Sequence, residues 1–126
     1  MNTTSKFAVA VLAGVAIGTA AIQGLHAQAK APAYTIAEIE VTDPANYKTY
    51  VDANSAGVEK AGGHFLARGG KVLELDGAVP KRFALIAWDN AEQAQAYYKS
   101  ATYTALIPNR DKSSKFRAYI AEGIAK

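Results

Sequence analysis

The segment Arg68-Gly69-Gly70 has the residue types that best suit an anion-binding site in this chain. A guanidinium presents a planar fork of donors to a carboxylate or phosphate, and adjacent glycines let a ligand approach the backbone closely. We therefore take Arg68, Gly69 and Gly70 as candidate ligand-binding residues. The structural alternative is a β-bulge in which Arg68 pairs with Glu38 or Glu40.

Two kinds of side chain near this segment can exchange protons. His64 is the only histidine after residue 29, and its imidazole titrates near neutral pH, so it can serve as a general base or a haem ligand. By strand alternation, His64, Leu66 and Arg68 are expected to share a face. Glu38 and Glu40 also point the same way, and burial would raise the pKa of either carboxyl. His64, Arg68 and Glu38 are therefore the candidate catalytic residues; the alternatives are a strand-edge histidine and salt-bridged carboxylates.

Other side chains can complete a pocket for a partly apolar anion. Tyr50 and Trp88 offer aromatic surface, and Arg110, which follows Pro108, offers a second guanidinium. These three residues complete the set of ligand-binding candidates. Tyrosines at helical spacing also suit a core, and Arg110 also suits a solvated surface.

The sequence lacks the signatures of several enzyme and binding classes. It contains no cysteine, which excludes disulfides, thiolate metal sites and a thiol nucleophile. No phosphate-binding loop, zinc-protease, serine-hydrolase or dinucleotide motif is present. Despite a net charge of +3, lysine and arginine are scattered rather than gathered in a stripe, so we expect no nucleic-acid partner. We also expect no metal and no cofactor.

The first 29 residues differ in composition from the rest of the chain. A polar start with one lysine precedes an uncharged run over 7–22, and residues 27–29 read Ala-Gln-Ala. This layout is typical of a cleavable secretory signal, and the run is shorter than the roughly 20 apolar residues that span a bilayer. We expect a single exported domain over 30–126, periplasmic or secreted, without a stable membrane span after cleavage. An uncleaved anchor is the alternative.

Local punctuation sets the order of the elements that must position these residues. Asp43-Pro44 starts the first helix, Gly62-Gly63 ends it, and Asn90 with Gln93 resembles a capping box for the second. Strands are predicted over 34–41, 64–68, 82–88 and 115–124, and helices over 44–61 and 90–101. We expect residues 71–75 to continue the second strand after a kink or bulge at Gly69-Gly70, and Pro108 to break a further helical segment over 102–112.

This β-α-β-β-α-β order predicts an α+β, ferredoxin-like antiparallel sheet with both helices on one face. Its other face is too apolar for water, because the third strand reads Phe-Ala-Leu-Ile-Ala-Trp over 83–88 and is apolar at both parities. A second copy is the economical cover, so we predict a homodimer in which Ile86→Asp gives monomers or insoluble protein. The alternative cover is the C-terminal segment of the same chain.

Four segments resemble the family called domain of unknown function 1330: Y-T-I-A-E-I-E-V-T-D-P-A-N-Y-K-T-Y over 34–50, G-G-H-F-L-A-R-G-G over 62–70, R-F-A-L-I-A-W-D over 82–89 and A-Y-Y-K-S-A-T-Y-T-A-L-I-P-N-R over 96–110. The resemblance spans nearly all of 30–126 and implies a dimeric α/β-barrel, in which two ferredoxin-like sheets face each other. Members often have arginine or another polar residue at the position of His64, so the resemblance gives this imidazole no role. The wider superfamily includes cofactor-free monooxygenases, haem-degrading enzymes, chlorite dismutases and muconolactone isomerases, which are analogies of fold.

Three hypotheses follow for function. The first is an exported homodimer that binds a small, partly apolar, anionic molecule between sheet and helices. The second is a cofactor-independent enzyme of the monooxygenase or isomerase type that uses Arg68 with Glu38 or His64. The third is haem binding, which rests on His64 alone.

Cleavage of the leader fixes the mass of the mature chain. Expressed with its own leader in a bacterium, the protein should begin at Lys30, or at Gln28 if cleavage follows Ala27. Intact-mass spectrometry of the purified protein measures this. A chain that still begins at Met1 would show that the leader is retained.

Overall fold

Four antiparallel strands form one sheet with the strand order β2-β3-β1-β4. The computed structural model describes residues 30–125; the leader predicted over 1–29 lies outside them. The elements are β1 Ala33–Val41, α1 Pro44–Lys60, β2 His64–Arg68, β3 Arg82–Trp88, α2 Ala91–Lys99, α3 Ala101–Thr104, α4 Ile107–Ser113 and β4 Ser114–Glu122. This confirms the predicted ferredoxin-like α+β class. No helix within 30–125 is long and apolar enough to cross a membrane.

The first helix begins and ends where the sequence predicts. The Asp43 side chain accepts a hydrogen bond from the Asn46 amide at 3.3 Å, and Pro44 lies in the first turn, where a missing N–H costs nothing. The helix ends at Lys60. Gly62 follows with a φ of 93°, a left-handed conformation that glycine adopts without strain.

The second helical region is divided twice. Asn90 caps α2 as predicted, and the break expected near Pro108 is present, since Pro108 lies in the first turn of α4. An earlier break, at Ser100, is not predicted by the sequence pattern. The Ser100 hydroxyl donates to the Tyr97 carbonyl at 2.6 Å and accepts from the Tyr103 amide at 3.2 Å, so it ends α2 and starts α3.

The prediction that the second strand continues over 71–75 is wrong. The Gly69 amide makes a last hydrogen bond to β3, donating to the Phe83 carbonyl at 3.1 Å. The positive φ of Gly69, 69°, then turns the chain away from the sheet. A longer β2 would have to pair with the residues just before β3. These include Pro80, which has no amide hydrogen to donate to a neighbouring strand. Of the kink or bulge expected at Gly69-Gly70, the kink is present at Gly69, whereas the bulge lies earlier, at Leu66.

The helices cover one face of the sheet, which we call the helix face. Its buried core combines sheet residues with aromatic side chains from the helices: Ala37, Ile39, Ile86, Trp88, Tyr47, Tyr50, Val58, Ala94, Tyr97 and Tyr103. The Trp88 indole N–H, which would otherwise lack a partner, donates to the Thr35 hydroxyl at 3.0 Å. The interpretation of the helix tyrosines as core residues therefore holds for Tyr47, Tyr50, Tyr97 and Tyr103.

The opposite face carries no helix among the described residues, and we call it the open face. The pairing registers place on it Tyr34, Ile36, Glu38, Glu40, His64, Ala67, Phe83, Leu85, Ala87, Lys115, Arg117, Tyr119 and Ala121. Its centre is apolar, because Ile36 lies between Leu85 and Tyr119. The C-terminal segment does not cross it as far as residue 125; the Gly123 amide instead donates to the Pro32 carbonyl beside β1.

The structure corrects the placement of Ile86. This residue lies on the helix face with 3% of its surface exposed, and Leu85 is its neighbour on the open face. An acidic substitution at Ile86 therefore disrupts the core rather than an association surface.

We expect Ile86→Asp to unfold the domain and Leu85→Asp to leave its secondary structure intact. An unpaired carboxylate in the core costs more than about 3 kcal/mol, which lowers the melting temperature of a domain this size by more than about 12 °C. Thermal circular dichroism of both variants measures the difference. An Ile86→Asp protein that melts within a few degrees of wild type would contradict the face assignment.

Candidate functional site

A narrow cleft lies between the helix face of the sheet and α1, and we call it the arginine cleft. Its walls are aromatic and aliphatic, and its polar groups are two guanidiniums, an amide and several hydroxyls. The lining residues are Thr35, Ala37, Ile39, Tyr47, Tyr50, Val51, Asn54, Ser55, Phe65, Arg68, Arg82, Ala84, Ile86, Tyr98 and Phe116. Its volume of about 30 Å³ has room for little more than a water molecule unless side chains move.

The bulge at Leu66 brings Arg68 to this cleft. One extra residue reverses the alternation of β2, so His64 pairs with Ala87 on the open face while Arg68 pairs with Ala84 on the helix face. The prediction that His64 and Arg68 share a face is therefore wrong.

Arg68 is held lightly in its position. Its Nη1 donates to the Ser55 hydroxyl at 2.8 Å, and its guanidinium carbon lies 4.6 Å from the centre of the Phe65 ring. The side chain is exposed, so these contacts are each worth no more than about 1 kcal/mol. The bulge exists, but Arg68 does not pair with Glu38 or Glu40.

A second guanidinium, which the sequence analysis missed, faces the same cleft. Arg82 pairs with Ile39 on the helix face, and its guanidinium carbon lies 5.4 Å from the Tyr47 ring centre. Burial raises the pKa of Tyr47, and the charge of Arg82 opposes that rise. A Cβ at Gly69 would lie 3.1 Å from Nη2 of Arg82, so the glycine leaves room for this guanidinium. Strand parity was the available signal, because residues 82, 84 and 86 share a face.

The positive charge of the arginine cleft is uncompensated within residues 30–125. Neither Arg68 nor Arg82 has a carboxylate oxygen within 4.0 Å there, whereas Arg110 pairs with Asp111 at 2.8 Å and Arg117 with Glu38 at 2.5 Å. Among the described residues that line the cleft, none is a carboxylate or an imidazole. The arrangement can hold an anion, but it offers no acid–base pair.

Arg110 belongs to a buried hydrogen-bond chain behind the arginine cleft. Its Nη1 donates to the Tyr103 hydroxyl at 3.0 Å, and the Tyr103 and Tyr50 hydroxyl oxygens are 3.0 Å apart. The guanidinium also lies 4.7 Å from the Phe116 ring centre. Burial, reinforced by the neighbouring phenol of Tyr103, raises the pKa of Tyr50 far above its usual value, so Tyr50 remains a neutral phenol.

A second cavity of about 350 Å³ lies on the other side of the hydrogen-bond chain formed by Arg110, Tyr103 and Tyr50, against α4 and β4. It shares Thr35, Tyr98 and Phe116 with the arginine cleft. Arg110 lines it, but this guanidinium already donates to the Tyr103 hydroxyl and to the Asp111 carboxylate. The second cavity therefore offers an arginine whose charge is already compensated by a neighbouring carboxylate.

Glu38 and His64 lie on the open face, away from the arginine cleft. Glu38 accepts from Arg117 and from the Tyr119 hydroxyl, and the Arg117 hydrogen bond holds its pKa below the usual value. Lys81 lowers the pKa of Glu40 in the same way, from 3.1 Å. The salt-bridged alternative is therefore confirmed for both carboxyls. A rise of their pKa values through burial inside a dimer stays a prediction.

The remaining candidates lie outside the cleft. Trp88 is buried in the core beside it, and Gly70 faces open space with nothing within 4 Å of where a Cβ would be. Of the predicted ligand-binding residues, the structure thus brings together Arg68 and Tyr50, with Gly69 against Arg82 at the edge. Among the described residues, no three histidine, aspartate or glutamate side chains are grouped to hold a metal.

Removing one hydroxyl of the buried chain should weaken the fold. Tyr103→Phe leaves both the Tyr50 hydroxyl and Nη1 of Arg110 without a partner, which costs about 1 to 3 kcal/mol. Tyr50→Phe with Tyr103→Phe should cost less than the sum of the single changes, because both remove the same hydrogen bond. Urea unfolding measures these energies, with Tyr34→Phe on the open face as the control. Strict additivity would contradict the Tyr50–Tyr103 bond.

Solved structures with this fold share little sequence with the chain. RPA0582, a protein of unknown function from Rhodopseudomonas palustris, is similar with a TM-score of 0.62 at 12% identity, over 77% of this chain and 85% of that one. SnoaB, a cofactor-independent oxygenase from Streptomyces nogalater, has a TM-score of 0.53 at 11% identity, over 76% and 96%. A dimeric ferredoxin-like protein of unknown function from Thermobifida fusca has a TM-score of 0.50 at 18% identity, over 74% and 92%. Such identities show the fold alone.

The sequence itself matches one family. No curated protein sequence matches the chain. The profile of the family described as domain of unknown function (DUF1330) matches residues 32–124, which include every strand and helix of the fold. The resemblance seen in the four sequence segments is confirmed, and the chain belongs to the DUF1330 family.

Proposed function

We propose that this chain is an exported homodimeric binding domain that holds a small, partly apolar anion in the arginine cleft. One observation carries the proposal: Arg68 and Arg82 face the same aromatic-walled cleft without a carboxylate partner among residues 30–125. An accessible guanidinium beside an aromatic wall presents a planar fork of donors that suits a carboxylate, sulfonate or phosphate. The presence of two such guanidiniums at one cleft favours a negatively charged occupant.

The walls of the cleft indicate what the anionic group is attached to. Tyr47, Phe65 and Phe116 offer aromatic surface, and the Asn54 amide and Ser55 hydroxyl lie among them. Ligand sites commonly combine apolar walls with a few polar groups that fix orientation. A carboxylate, sulfonate or phosphate joined to a small aromatic or aliphatic body satisfies both parts of this surface.

Entry of such a molecule requires the cleft to open, because its volume is only about 30 Å³. Arg68 is the side chain that can move at least cost. It is exposed, and its only hydrogen bond within residues 30–125 is the one to Ser55. An arriving anion can replace Ser55 as the partner of the guanidinium, so the movement loses no hydrogen bond.

The apolar open face supports the homodimer. Ile36, Phe83 and Leu85 lie side by side on it, and a monomeric protein gains nothing from keeping them in water. The Thermobifida fusca protein of the same fold is dimeric. A second copy that lays its open face on this one buries both surfaces with one symmetric contact.

Export is supported by the composition of the first 29 residues. The single lysine, the apolar run over 7–22 and the Ala-Gln-Ala before Lys30 form the three parts of a secretory signal. The absence of cysteine means that an exported form relies on its core, without disulfides.

A cofactor-independent oxygenase is the second candidate, because SnoaB has the same fold. The arginine cleft can bind an acidic phenol for such a reaction. However, none of its lining residues is a carboxylate or histidine that could remove the substrate's proton. This is why binding is the function that the geometry supports better.

Benzoate is a suitable probe of the proposed site, with benzamide as its neutral counterpart. Wild type should bind benzoate more tightly than benzamide, and Arg68→Met or Arg82→Met should weaken benzoate binding about 10- to 100-fold, because a charge-assisted hydrogen bond is lost. Benzamide binding should change little. Titration calorimetry measures the affinity of the wild type and of both arginine variants for each ligand. Lys99→Met, on the exposed side of α2, controls for net charge.

Equal benzoate affinity in wild type and both arginine variants would contradict the anion site. Native mass spectrometry of freshly purified protein separates the two candidate functions. A co-purifying molecule that is released unchanged after incubation in air supports binding. Its oxidation by wild type, but not by Arg68→Met, would favour the oxygenase.

A further inference from the structure

The loop between β2 and β3, residues 69–81, exposes large apolar side chains to water. Leu75 is 99% exposed, Leu73 is 70% exposed and Val79 is 42% exposed. Single exposed leucines are ordinary on protein surfaces, but three apolar side chains on one short loop form a patch that usually has a partner. We call this segment the leucine loop.

The leucine loop is not folded back on its own core. The left-handed Gly69 turns the chain out of the sheet, and its amide is fixed to the Phe83 carbonyl at 3.1 Å. Neither Leu73 nor Leu75 belongs to the hydrophobic core or packs against it. The conformation therefore presents these side chains outward instead of using them for the stability of the single chain.

The base of the loop adjoins the open face of the sheet. Ala78, Val79 and Pro80 line a trough of about 560 Å³ together with Glu38 and Arg117, which belong to that face. The base of the leucine loop therefore adjoins the edge of the open face, and we call the loop and this face together the combined surface. A partner that covers the sheet meets the base of the loop as well.

The charges on this combined surface suit a second copy of the same chain. It carries four cationic and four anionic side chains, so its formal charge is zero although the whole chain is at +3: Lys71, Lys81, Lys115, Arg117, Glu38, Glu40, Glu74 and Asp76. A symmetric dimer places a surface against its own copy, so a surface with a net charge would be repelled by that copy. A surface that carries equal numbers of positive and negative charges avoids this repulsion.

From these observations we infer that the leucine loop clasps the second copy and buries Leu73 and Leu75 at the dimer interface. The inference rests on the homodimer of the proposed function and adds the part of the chain that reaches across. It assigns the loop to association instead of to the arginine cleft, which it does not line.

A single cysteine reports burial of the loop directly, because the chain has none of its own. Leu75→Cys should react with a maleimide about tenfold more slowly in the dimer than in a Leu85→Asp background, where the open face cannot associate. Gln95→Cys on α2 should react at the same rate in both backgrounds. Equal rates for Leu75→Cys, while light scattering shows a wild-type dimer, would overturn the inference alone.

A charge test gives the energetic counterpart. Leu73→Glu/Leu75→Glu should raise the dimer dissociation constant at least about 100-fold, because four leucines are lost from a symmetric interface. Leu73→Met/Leu75→Met should leave it unchanged, and both variants should keep the wild-type circular dichroism spectrum. Analytical ultracentrifugation measures the constants. An unchanged constant in the glutamate variant overturns the clasp, whereas a monomeric wild type overturns the homodimer and the clasp together.

Discussion

Coverage of the sheet on one face is the constraint on which the rest of this structure depends. The helices bury their tyrosines against the helix face, where Trp88 of β3 packs with them, and this single layer of packing supplies the core of the domain. No disulfide adds to it, since the chain has no cysteine. The third strand is nevertheless apolar on both sides, so the sequence has more apolar surface than one set of helices can cover. The open face and the leucine loop are where that surplus lies.

The same one-sided core explains why polar groups inside it are so completely paired. The Tyr103 hydroxyl joins Tyr50 to Arg110, and the Tyr97 hydroxyl donates to the Asn54 side chain at 2.7 Å. Among the described residues, no buried side-chain nitrogen or oxygen lacks a partner. Unpaired donors inside an apolar core are costly, so the fold allows them only at its margin. The guanidiniums of Arg68 and Arg82 lie at this margin without a carboxylate partner among the described residues, whereas Arg110 has one. This contrast makes the arginine cleft the candidate site.

Fold likeness adds a frame to this picture without assigning a chemistry. The same sheet and helices occur in a cofactor-independent oxygenase and in proteins of unknown function. What distinguishes one member of a fold from another is the set of side chains that faces its cavity. In this chain that set is basic and aromatic, and it contains no carboxylate or imidazole. It is therefore better equipped to hold an anion than to move a proton.

The sequence by itself determined the element order and most element ends. Asp43, Gly62 and Asn90 act through hydrogen bonds and dihedral angles within a few residues of themselves, so local reading suffices for them. It also identified Arg68 and Tyr50 as ligand-binding candidates, because residue type carries that information. It placed His64 beside Arg68 and extended β2 past Gly69, and both inferences failed.

Only the tertiary structure decided which face each side chain takes. One extra residue at Leu66 reverses every position after it on β2, and a bulge is visible only from the strand that pairs with it. The same dependence hid Arg82, which becomes a cleft residue because β1 places it opposite Ile39 on the helix face. It also left Ile86 and Leu85 indistinguishable, since two apolar neighbours on a strand differ only in which side the helices happen to cover. Local rules fix where elements begin and end, whereas pairing between distant strands fixes what they face.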